Sequence, residues 1–486
     1  MTFINLIQPT TYNVKQFGAL GDGITDDTSA IASAITAATS SGGIVFFPAG
    51  TYLTTTQTLV SNVILAGAGE GATIIKLKNA TNGDLLSANT ANINLSAAST
   101  SSSNTALTNW GLRDLTLDGN KANQSGTSYC LRVYGYSFQI HNVTMQNGLT
   151  GNWLNDWNGT ADSTSQQSES QVFNLESYNS GGMLLEFGGP HNTQFANCFF
   201  GYAGSHCVHV ATNATACQWT NCHAFSPKLG QSGGAVAWLI EAARNAFVNC
   251  DAKDSDTVQV VILANTVRWN GRIWANGQSA AGVQIGQGAG NTPYSGMINQ
   301  SSSLTTAVTP TLCIVDSIIQ DCIGTNGAIW LANDGGQNQV RGIINQASGS
   351  YLTGTVSTST ELFIQGTGLT ADGTLAKAAT TTLLGQLALT QSATAPDPGA
   401  SGTINTTNVG VARVNPSGGS RSGCILQAGS QPGQEVWVIN EHASNTITFA
   451  ASGTSHVADG VSDVIAANSA RKFIYDTSTS LWYKAS

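Results

Sequence analysis

Charge is scarce in this chain. Only 9% of its 486 residues are Asp, Glu, Lys or Arg, against roughly 25% in an average globular protein. Amphipathic helices carry a charged outer face, so a mainly helical architecture is excluded and strands joined by tight turns are expected. Cationic residues are the fewest: 18 Lys and Arg stand against 27 Asp and Glu, for a formal charge of −9. No run of Lys or Arg could track a phosphate backbone, which excludes nucleic acid as a partner. No stretch approaches the ~20 apolar residues of a membrane span, so no membrane insertion is expected. The nine cysteines are odd in number and follow no metal-ligand spacing, so neither a metal nor another cofactor is expected.

What fills the space is Gly, at 54 residues, with Ser, Thr, Asn and Ala. Between Tyr12 and Thr55 the sequence reads as a strand, a Gly-Asp-Gly turn, a helix capped at Thr25 or Asp26 and running to about Ser40, and a buried strand IVFF. Asp22, Asp26 and Asp27 serve this turn and helix start, where carboxylates complement the helix dipole. Short strands then recur about every twenty-five residues: VILAGAG, TIIKLKN, WGLRDLTLDGN, FQIHNVTMQNG, VFNLESYNSG, TQFANCFFGYAG, CQWTNCHAFSP. Parallel strands need long crossovers, and with no helical segments to supply them a solenoid, whose own coil is the crossover, is the economical solution. Cys198, Cys222 and Cys250 each follow an Asn and mark one inward position on successive turns.

The expected fold is all-β: a right-handed, single-stranded parallel β-helix with a short N-terminal capping helix, then a small C-terminal antiparallel β-domain. Residues 1–11 form an extension, 12–390 the β-helix and 391–402 (QSATAPDPGASG) a linker. Residues 403–486 form a sandwich-like domain for trimerisation or glycan binding.

GALGDGITDDTSAIASAI, GGIVFFPAGTY, LAGAGEGATIIKL and WGLRDLTLDGNK resemble the pectate-lyase-like right-handed β-helix superfamily, which includes phage tailspikes, some polygalacturonases and mannuronan C5-epimerases. The resemblance is strong over residues 12–121 and diffuse to about 390. It implies fold more than reaction, because these residues build the first turns. The NTD/DD/GHG set of polygalacturonases is missing, and the epimerase YGFDPHE signature has at best a remnant in MLLEFGGPH, Met183 to His191. The C-terminal segment, with its SLWY phrase, resembles small β-domains of phage tail proteins, many of them homotrimers. The opening MTFINLIQPTTYNVK has no secretory pattern, so release by lysis, and a place on the virion tail or outside the cell, is expected.

Stacking turns a sequence alignment into geometry, because equivalent residues on neighbouring turns lie about 4.8 Å apart. With Phe195, Trp219 and Phe247 as inward anchors, Phe187, Val210 and Leu239 face inward, and Glu186, His209 and Trp238 stack outward on three turns. A carboxylate, an imidazole and an indole suit a sugar site: two proton-handling groups and an apolar platform. Glu241 lies about 9.6 Å from Glu186 by stacking alone, near the ~6.5–9.5 Å carboxyl separation of inverting glycosidases. A second outward ladder holds Glu176, Phe199, His223 and Asp251, where His223 beside Asp251 makes a lyase-like base. The insertion from Asn147 to Ser170 supplies Trp153, Asp156 and Trp157 as loop-borne candidates. Arg268, Trp269, Arg272 and Trp274 would either bind an acidic glycan or join neighbouring subunits.

The catalytic candidates are therefore Glu186, Glu241, His209, Asp156 and Asp251; the substrate-binding candidates are Trp238, His223, Trp153, Trp157, Arg268 and Trp269. The expected function is hydrolysis of a bacterial capsular or exopolysaccharide by a homotrimeric tailspike-like depolymerase. Poverty in Lys and Arg weighs against the alternative, β-elimination from a uronate polymer, which needs the substrate carboxylate neutralised. The further alternative is a glycan-binding tail protein without catalysis.

Overall fold

The computed structural model describes residues 10–93, 95, 106–157, 169–227, 235–255, 257–274, 281–286, 309, 311–320, 329–331, 335–345, 352–354, 360–366, 380–383, 396–405, 411–429 and 433–485. They form two compact units, Met1–Gly385 and Gln386–Ser486. Most of the expected extension, the middle of the 147–170 insertion and the first half of the expected linker lie outside the described residues.

The first unit is a parallel β-helix in which each strand pairs with the equivalent strand of the turns before and after it. Gly151–Asp156, Met183–Gly188, Val208–Val210, Val236–Ile240 and Val258–Ile262 stack as one wall. Gln171–Tyr178, Phe199–Ala203, His223–Pro227, Ala246–Lys253 and Arg268–Trp274 stack as a second. Residues alternate between the core and the outer face of each wall, and on the first wall Val236, Leu239, Val258 and Val261 form an apolar cluster of their own. Phe195, Trp219 and Phe247 occupy consecutive rungs of the core, with Phe195 and Trp219 face to face at 3.8 Å. Trp153, Trp238 and Trp269 are also buried there, each at most 1% exposed. None of the eight described cysteines is in a disulfide; seven are buried as small apolar side chains in that filling, and Cys424 is buried in the core of the second unit.

The N-terminal helix, Thr28–Thr39, buries Ile31, Ala34, Ile35 and Ala38, an i, i+3, i+4, i+7 stripe. Its N-cap is Asp27, one or two residues later than expected. Asp27 is drawn inward to accept hydrogen bonds from the Leu20 and Gly21 amides at 2.7 and 3.1 Å, which pins the preceding turn. Asp22 accepts from the Ile24 and Thr25 amides, and Asp26 pairs with Lys78. Each aspartate thus has its own structural task.

Corners between strands are turned by residues with left-handed backbone, mostly Asn, the non-glycine type best suited to it. At one corner they stack: Asn142 donates to Asp114 at 2.9 Å, Asn174 to Asn142 at 2.9 Å, Asn197 to Asn174 at 3.4 Å, Asn221 to Asn197 at 3.3 Å and Asn249 to Asn221 at 2.8 Å. The Asn of each Asn-Cys phrase turns the corner and the Cys that follows points into the core.

The C-terminal unit is also coiled. Thr403–Ile404, Arg421–Leu426 and Ile447–Phe449 stack in parallel, as do Val411–Val414 and Glu435–Asn440. Antiparallel pairing, expected for the whole unit, joins Glu435–Asn440 to Ser469–Asp476, that strand to Leu481–Lys484, and Ile447–Phe449 to Val464–Ile465. A core of its own includes Val438, Phe449, Phe473 and Trp482. Residues 396–402 pack onto this unit through the Asp397–Arg421 ion pair.

Candidate active site

On the first wall the inward positions run Leu131, Trp153, Leu185, Val208, Trp238 and Val260, all within the main core. The positions between them point outward and run Arg132, Leu154, Glu186, His209, Leu239. Glu186 and His209 therefore stack as neighbours, but the third rung holds Leu239. Trp238 is a correction: it faces the core, donates its indole N–H to the Asp251 carbonyl at 3.0 Å and packs on Trp219, Phe247 and Trp269. The connection after this strand is shorter than on the two preceding turns, which shifts the register by one residue. Trp153 and Trp269 are also corrections: each lies in the inward phase of its own strand and fills the core, so neither can stack on a substrate.

Glu241 follows this strand and folds back over the wall. Its Oε2 lies 2.7 Å from His209 Nε2, while Glu186 Oε1 lies 3.5 Å from His209 Nδ1, an ion-pair contact without hydrogen-bond geometry. The imidazole fills the space between the two carboxyl groups. No water or glycosidic oxygen can sit there, so the inverting arrangement expected for Glu186 and Glu241 is not available to this pair.

Glu186 and His209 are 2% and 4% exposed in their side chains, and Glu241 is 15% exposed. Burial alone would lower the His209 pKa, but the flanking carboxylates outweigh it and raise it to about 10. Burial pushes Glu186 above the usual carboxylate range; the charge of Glu241 adds to this and the imidazolium opposes it. The cluster holds a proton at neutral pH.

Three further residues complete the neighbourhood. Arg132, two rungs from Glu186 in the same column, lies 3.8 Å from Asp84 and is 30% exposed in its side chain. Its guanidinium lies 5.8 Å from the centre of the Tyr129 ring, and burial followed by the charge of Glu186 pushes the Tyr129 phenol upward. Sequence reasoning missed Arg132 and Tyr129 because YCLRVYG was not read as a rung; the alternation of Leu131 and Val133 with Arg132 and Tyr134 was the available signal. Asp156 is buried on the outward side of the same wall, two residues beyond Leu154. It sits against Gly188, where an added Cβ would lie 2.6 Å from its carboxylate oxygen. Trp157 stacks on Tyr136 at 4.5 Å beside it, half-buried.

The second wall keeps the other candidates. Glu176, Phe199, His223, Asp251 and Arg272 occupy successive rungs. Asp251 is held by Arg272 at 2.7 Å, and burial lowers the His223 pKa. Arg268 is exposed at the start of its strand.

Residues 11–228 match the family described as rhamnogalacturonase A/epimerase, pectate lyase-like. That stretch, a little under half of the chain, is therefore pectate-lyase-like, in keeping with the parallel β-helix it folds into. The mannuronan C5-epimerase AlgE5 of Azotobacter vinelandii is 45% identical over 124 residues, 24% of this chain and 11% of that protein. Alginate lyase 7 of the same organism is 36% identical over 147 residues, 28% of this chain and 16% of its own length. The aligned stretch is thus a small part of these curated relatives. The solved A-module of the Azotobacter vinelandii epimerase AlgE4 shares the fold over 77% of this chain and all of its own, with a TM-score of 0.50 at 19% identity.

Proposed function

We propose that this pectate-lyase-like chain modifies an acidic polysaccharide by moving a proton at a sugar carbon, with Glu186, His209 and Glu241 as the acid–base centre. The observation that carries this is the buried His209 imidazole held between two carboxyl groups at 3.5 and 2.7 Å, in the column that also holds Arg132, two rungs from Glu186. A proton on the carbon next to a uronate carboxylate becomes removable when a cation neutralises that carboxylate, and Arg132 supplies the cation. Glu186, with its raised proton affinity, takes the proton. Imidazolium His209, on the same face as Glu186, gives one back to the departing glycosidic oxygen; Glu241 stabilises its charged form. Relatives named as C5-epimerases and as an alginate lyase support this reading, since both reactions begin with loss of that proton. Arg132 and Glu241, more exposed than Glu186 and His209, mark where the sugar enters.

One observation favours a second reading, the hydrolytic tailspike-like depolymerase: Asp156 and Glu186 are outward carboxylates on adjacent rungs, two residues apart, a backbone separation of about 8 Å. Incubation with uronate polymers and capsular polysaccharides separates the readings. New ultraviolet absorbance from an unsaturated uronate marks elimination, inverted C5 stereochemistry by NMR marks epimerisation, and reducing ends without absorbance mark hydrolysis. Full activity of Glu186→Gln would sink both. On either reading the chain acts on the virion tail or outside the cell as a homotrimer, which sedimentation equilibrium tests; the C-terminal resemblance to phage tail domains supports it.

A further inference from the structure

The second wall changes shape at one place. Up to Asn249 each turn makes its corner with a left-handed residue, and the Asn side chains stack. The next strand, Arg268–Trp274, crosses the same position without a left-handed Asn, and its pairing slips by one residue between Phe247 and Cys250. Gly271 lies so close to the Cys250 carbonyl that an added Cβ would be 1.8 Å from its oxygen. The step between cornered and straight turns leaves an open groove of about 590 Å³, lined by Asn249, Asp251, Arg272, Asp316, Ile318 and Ile343 among others. Among the described residues no side chain donates to Asn249 Oδ1, so the Asn stack ends in the groove with an open acceptor.

We infer that this groove is a second carbohydrate-binding site, separate from the acid–base cluster, that takes neutral pyranose units. Sugars offer hydroxyls on their edges and C–H groups on their faces, and the groove has a counterpart for each. Asp251, Asp316 and Asn249 accept from hydroxyls, and Arg272, 46% exposed while bonded to Asp251 at 2.7 Å, donates to them. Ile318 and Ile343 stack on the two rungs after Arg272, each 46% exposed, an apolar strip for a ring face. One column away, Lys253 lies 5.3 Å from the centre of the Phe225 ring and 6.0 Å from that of Trp274, extending the same wall. With Asp251 paired to Arg272 and Arg341 on the rung next to Asp316, the groove offers an anionic chain no surplus of cations, which suits uncharged units.

The inference rests on the reading of this chain as a polysaccharide-acting protein and not on the chemistry at Glu186. It deepens that reading, because a uronate site on one wall and a neutral site on the other fit a heteropolysaccharide. The test is binding of the full chain, carrying Glu186→Gln to prevent turnover, to an array of neutral and uronate oligosaccharides. Neutral oligosaccharides are expected to bind, with affinity at least tenfold weaker in Arg272→Ala and in Ile318→Asp at unchanged melting temperature. Uronate binding is expected to respond to Arg132→Ala instead. No neutral oligosaccharide bound, or neutral binding kept in both groove variants, overturns the inference. Neutral binding lost in the groove variants of a protein that modifies no polymer leaves the groove standing and removes the acid–base proposal.

Discussion

The two walls of the coil obey one stacking rule and treat charge in opposite ways. On the first, Glu186, His209 and Glu241 point outward from the core and are still shielded from solvent, with Tyr129 and Leu95 packed on the same face. On the second, Asp251 and Arg272 occupy equally outward positions, with side chains 24% and 46% exposed. Water screens the second pair, so its members behave as ordinary surface charges. Without that screening the first group must settle its charge internally, which moves its proton affinities. Facing outward in a β-helix is therefore a statement about strand phase, and what covers the strand decides the chemistry.

The contrast is broken most severely at His209. Replacing it by Ala leaves Glu186 and Glu241 without their shared cation, and loss of one partner from a buried ionic group costs about 3–5 kcal/mol. Urea denaturation of His209→Ala should show a loss of that size, with no detectable turnover of any polymer the wild type modifies. The same interaction should be visible in wild type through pH. His209 has its pKa raised from 6.5 to about 10 in the folded chain, so its stabilising contribution is complete below about 6.5 and disappears as pH rises through about 10. Glu186, also raised, acts in the same direction. The melting temperature should fall between neutral pH and pH 10, and His209→Ala should flatten that fall; a flat wild-type profile would show that the imidazole carries no extra proton.

How much of this was legible in the sequence follows from what each connection does to phase. The second wall was readable to the residue because a corner Asn followed by an inward Cys, or Leu in the first case, repeats on each turn, so Glu176, Phe199, His223 and Asp251 were counted from a fixed mark. The first wall was counted backward from Phe195, Trp219 and Phe247 across connections that differ in length. Eight residues separate Phe187 from Phe195, nine Val210 from Trp219 and seven Ile240 from Phe247, all equivalent positions. The shortest connection moved Trp238 from the predicted exterior into the core. Glu186 and His209 were unaffected, since their turns differ by only one residue. Arg132 escaped notice for another reason: its strand runs on through left-handed corners at Ser137 and Asn142 as one element, Tyr129–Gln146, so its first part was not separated as a rung of its own.

The Asn stack offers a smaller break in the comparison. Asn221 sits in its middle with φ of 52°. Ala there keeps a Cβ in a left-handed backbone without the local polar contacts that make Asn tolerant of it, which costs up to roughly 1–2 kcal/mol, and removes two hydrogen bonds at a solvent-exposed site. Gly removes the bonds and keeps the backbone at ease. Thermal melts should rank wild type above Asn221→Gly and Gly above Asn221→Ala. Equal losses for the two variants would assign the whole effect to the amide bonds.

Asp251→Asn should do least. The carboxylate and Arg272 face water, where an ion pair is worth about 0.2–1 kcal/mol and salt weakens it further. A denaturation midpoint near that of wild type is expected, with the small difference vanishing in ~1 M salt, where the Debye length falls to about 3 Å. The corresponding removal of charge on the first wall, Glu241→Gln, should keep its effect in the same salt because counter-ions do not reach His209. A loss at Asp251 that persists in high salt would mean this wall is covered as well, and the distinction between the two walls would fail.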